Sequence, residues 1–139
     1  ELVKVDVMRG DAAAALADAR QAPAGMWRTI SLAFALQIGS DRAAADAALQ
    51  AAIDKLAGVA AYQIAEIYAL RRDPDNMFKW LQRAARNRDP GVVELPYDVP
   101  VLRYRNDPRF AAFCKQVGLP VPARAARVVP GAAASGSRR

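Results

Sequence analysis

Histidine is absent from this chain of 139 residues. That removes the side chain that most often serves as a general base near neutral pH and as a neutral metal ligand. Ser-His-Asp and Cys-His catalytic sets therefore cannot be assembled from it. There is a single cysteine, Cys114, so no internal disulfide can form, and the thiol-poor composition fits a reducing, cytoplasmic setting. Neither GxxxxGK[ST] nor GxGxxG occurs, and no calcium-loop spacing is present. No apolar run approaches the roughly 18 to 20 residues of a membrane-spanning helix, and no signal peptide is visible. These absences argue against an enzyme, a bound metal, a cofactor, a small-molecule substrate or a membrane span.

Acidic residues are absent from the C-terminal end. All fourteen precede Pro108, where fourteen of the twenty basic residues also lie, so that stretch is neutral. The net charge of +6 comes from Arg109, Lys115, Arg124, Arg127, Arg138 and Arg139. A pI near 10.0 thus reflects a basic tail, and nucleic acid is not the expected partner. The segment 121–139, made largely of Pro, Ala, Gly, Ser, Val and Arg, is expected to be disordered.

What is present is helical periodicity. Leu2, Val3, Val5, Val7 and Met8 begin an apolar pattern directly after Glu1, compatible with a strand but read as the end of a helix at the cut edge of a longer protein; that apolar edge offers a surface on which two copies can pair, as an artefact of the cut. Gly10-Asp11 is a stop-then-start signal, and the alanine-rich 12–21 favours a helix. Trp27, Ile30, Phe34 and Ile38 recur at spacings of three and four. Ser40 or Asp41 is an N-cap candidate for a second helix outlined by Ala44, Ala45, Ala48, Leu49, Ala52, Ile53 and Leu56. Residues 61–90 read as two amphipathic helices about a turn at Arg72-Asp73-Pro74-Asp75. Ile64, Ala65, Tyr68 and Ala69 mark one stripe, and Phe78, Leu81, Ala84 and Ala85 the facing one. Beyond Pro90, Gly91, Pro96 and Pro100 break long helices. Asp98 is a cap candidate for a short turn over 99–104, and Asp107-Pro108 opens a helix to Val117.

The hairpin at 61–90 resembles the tetratricopeptide repeat, a helical hairpin of about 34 residues. Ala65 and Tyr68 take the small and aromatic slots of helix A, Asp73 closes the turn, and Leu81 and Ala84 take the large and small slots of helix B. Arg72 stands where the family usually has Gly, and Met77 where it usually has Ala. The run LRYRNDPRFAAFCKQVGLP is similar to the closing segment of bacterial tetratricopeptide proteins that carry the repeats behind an adenylate cyclase or winged-helix domain. The resemblance implies an all-α solenoid of about three hairpins over residues 1–120. Its units are 1–25 (truncated), 26–58 and 59–90, with a cap over 91–120.

It also implies a non-catalytic scaffold that binds a peptide or partner protein on a concave face of helix-A residues, here Arg28, Gln37, Gln63, Glu66 and Arg71. The alternative is a regulatory C-terminal region of a signalling enzyme or transcription regulator. Some domains of this family grip a chaperone's C-terminal carboxylate through Lys and Asn. The matching slots hold Glu66 and Tyr62, and Glu66 repels a carboxylate. Among the other candidates, Asp73 and Asp75 are explained by capping, and Cys114 by burial beside Phe110 and Phe113. Lys79, Arg83 and Arg86 form a basic stripe. Arg103, Arg105 and Arg109 form a second basic cluster near the cap, and Trp80 is expected to pack in the core or between repeats.

Overall fold

The computed structural model describes residues 2–124. Glu1 and 125–139 lie outside them, and with them most of the basic tail. All regular structure among the described residues is helical. The helices are α1 (Leu2–Arg9), α2 (Ala12–Gln21), α3 (Met26–Gln37), α4 (Arg42–Leu56), α5 (Ala61–Leu70), α6 (Pro74–Asn87), a 3₁₀-helix (Pro90–Tyr97), α7 (Val99–Leu102) and α8 (Pro108–Val117).

Short polar residues set the boundaries. Asp11, Asp41, Asp73, Asp98 and Asp107 each accept a backbone N–H of the helix that follows, which satisfies one of the orphan donors at a helix start. Proline follows at the start of α6 and α8, where its missing N–H costs nothing. Gly10, with φ +76, turns the chain between α1 and α2. Arg72 and Arg88 adopt the same left-handed conformation, with φ 60 and 53, although their Cβ atoms disfavour it. Arg72 thus occupies a turn position suited to glycine.

α1 packs on α2, α3 on α4 and α5 on α6, forming three successive hairpins. α1, α3 and α5 also stand side by side, while α2 and α4 pack on the odd-numbered helix that follows. The 3₁₀-helix lies against α5 and α6, α7 against α5, and α8 against α6. α5 is central and buried nearly all round. Ile64 and Ile67 join the core of the first two hairpins. Ala61, Tyr62, Ala65 and Ala69 join a second core with Leu95, Val101, Phe110, Phe113 and Cys114. Tyr68 and Trp80 touch both cores, which places Trp80 between units as the sequence predicts. Fully buried alanines at 65, 69 and 84 let the helices approach closely. Cys114 is fully buried too, and burial raises its thiol pKa.

The closing segment is tied to α5 at one short stretch. Asp89 accepts the Tyr62 N–H on Oδ2 at 3.0 Å and the Gly91 N–H on Oδ1 at 2.9 Å. Gly91 then passes so close that a Cβ there would lie 2.9 Å from Tyr62 Cβ. Further on, Tyr104 donates its hydroxyl to the Ala69 carbonyl at 3.2 Å. Arg109 bonds Asp75 at 2.6 Å and Asp107 at 2.8 Å while lying over the Phe78 ring. The basic residues of α6 do not hold this segment: Lys79, Arg83 and Arg86 are exposed, and Arg83 lies over Trp80.

Candidate functional site

Tyr62, Glu66 and Leu70 recur every four residues on α5 and so share one face. Glu66 is the only charged residue in the run AYQIAEIYAL and is 1% exposed. A carboxyl group at that depth needs partners. Lys4 supplies one, placing Nζ 2.6 Å from Glu66 Oε1. To get there it reaches from the first hairpin past α3, with Nζ 5.7 Å from the centre of the Phe34 ring, close enough for a cation–π attraction. It also approaches Glu94 Oε2 at 3.3 Å.

The second neighbour of Glu66 is Asp98, the N-cap of α7. Asp98 Oδ2 accepts the Tyr62 hydroxyl at 3.0 Å, and Oδ1 accepts the Val101 N–H at 3.4 Å. Glu66 Oε2 is buried with no donor pointing at it. Burial pushes the Glu66 carboxyl well above its usual range, and hydrogen bonding with Asp98 and the Asp98 charge add to this against the opposing pull of Lys4. Burial likewise raises the Tyr62 hydroxyl, aided by the Asp98 and Glu66 charges, so the phenol stays a donor. For Lys4, burial works to lower the ammonium pKa, but Glu66, Asp98 and Glu94 outweigh it and the net shift is upward.

Lys4, Glu66, Glu94 and Asp98 border a cavity of about 750 Å³ whose other walls include Val5, Met8, Leu70, Tyr97 and Val99. Tyr97 is 84% exposed and Val99 51%. A second cavity of about 250 Å³ lies at the starts of α3 and α5, bordered by Met26, Trp27, Val59 and Gln63. Trp27 is 56% exposed and Val59 65%. Glu94 borders both cavities, so they adjoin at this residue of the 3₁₀-helix; the two together are called the groove below.

The five candidate residues do not converge. Glu66 borders the larger cavity and Gln63 the smaller one. Gln37 is buried, bonding the Ala33 and Ala45 carbonyls through Nε2 and accepting from Arg71 through Oε1. Arg71 also holds Asp46 of α4 at 2.6 Å, so this pair braces neighbouring hairpins. Arg28 bonds the Ala22 carbonyl at 2.9 Å and borders a separate depression beside Lys55. Sequence reasoning overlooked Lys4 and Glu94 and read Asp98 only as a cap. The available signal was Glu66 itself, one acid inside an apolar helix.

No group of His, Cys, Asp and Glu among the described residues could hold a metal ion, and no helix among them is long and apolar enough to cross a membrane. No family model, curated protein or solved structure matches the chain.

Proposed function

We propose that this chain is a non-catalytic protein-interaction module, a tetratricopeptide-like solenoid that binds a peptide or partner protein on a concave face formed by α1, α3 and α5. The groove carries the reading. Its two adjoining cavities leave Trp27, Val59, Tyr97 and Val99 largely exposed, and exposed apolar surface of this kind marks interaction sites on folded proteins. The packing of each odd-numbered helix on the next and the left-handed turn at Arg72 support the repeat assignment.

The test is selection of a random-peptide phage library on the immobilised chain, followed by photo-crosslinking of the selected peptides. A crosslinker replacing Tyr97 or Trp27 should capture them, and one replacing Arg86 on α6 should not. Capture only from Arg86, or no selected peptide at all, overturns the reading.

A further inference from the structure

The chemistry of the groove specifies an occupant. Glu94, Glu66, Asp98 and Asp89 border its two cavities, against the cations Lys4 and Arg9. Asp89 and Asp98 each spend both oxygens on internal donors. Glu66 gives one oxygen to Lys4, and its other oxygen is buried with no donor. Glu94 differs: it is 51% exposed and holds Lys4 only at 3.3 Å. An ion pair that long between two half-exposed groups is easily surrendered, whereas Lys4 keeps the buried Glu66 at 2.6 Å. An anion entering here would meet several carboxyl groups. A cation would meet an accessible acceptor with an apolar cavity on either side.

We propose that the groove takes a peptide segment that sets a lysine or arginine between two apolar side chains, with the cation on Glu94 and the apolar groups in the flanking cavities. The aliphatic stem of the basic residue lies along the apolar walls while its charged end reaches the carboxylate. One apolar side chain enters beside Trp27 and Val59, the other beside Met8 and Tyr97. The proposal rests on the interaction reading above and adds the chemistry of the partner.

The same phage selection tests it with a different readout, the composition of the selected peptides. Peptides with a basic residue flanked by apolar ones are expected. Their synthetic versions should bind with an affinity that falls as salt rises and that drops about tenfold or more in Glu94→Lys, where like charges meet. Glu94 is exposed, so this variant should retain wild-type helix content by circular dichroism. Selected peptides that are acidic or uncharged, or affinity unchanged in Glu94→Lys, overturn the proposal. If those peptides still crosslink from Tyr97 or Trp27, the interaction reading survives it; failure to select any peptide ends both.

Discussion

Replacing Gly91 by alanine tests how the closing segment is seated. The added Cβ would lie 2.9 Å from Tyr62 Cβ, 3.0 Å from Tyr62 Cδ1 and 3.0 Å from Gln63 Nε2. Carbon atoms in good contact sit about 3.5 to 4.0 Å apart, so the two Tyr62 contacts are each too close by about half an ångström or more. Tyr62 cannot withdraw, because it is fully buried and its N–H is tied to Asp89. Gly91 cannot withdraw without straining its own bond to Asp89 at 2.9 Å. Overpacking of this kind costs about 1–3 kcal/mol, and loss of one of the Asp89 bonds adds about 1 kcal/mol. At about 4 °C per kcal/mol for a domain of this size, a total of about 2–4 kcal/mol should lower the melting temperature by roughly 8–16 °C, read by far-UV circular dichroism with urea unfolding alongside. Gly58→Ala is the control: nothing lies within 4 Å of a Cβ there, so that variant should be neutral or slightly stabilised. Adding Gln63→Ala to Gly91→Ala should recover only the smaller part of the loss, because Tyr62 remains. A Gly91→Ala protein within about 0.5 kcal/mol of wild type would refute the close approach.

Other outcomes follow from the same contacts. Tyr62→Phe removes the hydroxyl that Asp98 Oδ2 accepts and should cost about 1–3 kcal/mol in urea unfolding. The Glu66 and Lys4 pKa values are both raised in the folded chain, so their stabilisation is present at lower pH and is lost as pH rises through those folded values; Glu66→Gln should flatten the alkaline side of a plot of urea midpoint against pH. Asp73 and Asp107 are lowered, chiefly by hydrogen bonds from Asn76 and Arg109, so their contribution is lost as pH falls, and Asp73→Asn should reduce the acid-side loss. Arg88→Gly, at a left-handed residue, should raise stability by about 0.5–1 kcal/mol, visible as a higher melting temperature.

The helices were legible because their signals are local. Asp11, Asp41, Asp73, Asp98 and Asp107 sit next to the apolar patterns that they cap, and the sequence marks each of these starts with a short polar residue. The 3₁₀-helix at Pro90–Tyr97 was not legible as such, since Gly91 and Pro96 signal only that an α-helix is broken. The groove was harder still. Lys4 and Glu66 are 62 positions apart and meet because α1, α3 and α5 stand side by side; Tyr62 and Asp98 are 36 apart and meet because the closing segment folds back along α5. Gln37 and Arg71 look like free polar side chains in sequence, yet each lies near the end of its helix, where neighbouring hairpins bring them together. Polarity located surface-capable residues; long-range packing decided which of them stayed available.

The reach of Lys4 alters how the chain should come apart. In a row of hairpins that touch only their neighbours, stability sums from single units and adjacent interfaces, and the ends fray first. Lys4 adds second-neighbour coupling, since it joins the first hairpin to the third across Phe34 and touches the 3₁₀-helix through Glu94. Opening of α1 then strips Glu66 of its cation and weakens the seat of the closing segment at the opposite end. Hydrogen exchange should show α1 and the 3₁₀-helix opening together in wild type and separately in Lys4→Met, so the array behaves as a single cooperative unit only while one lysine spans it.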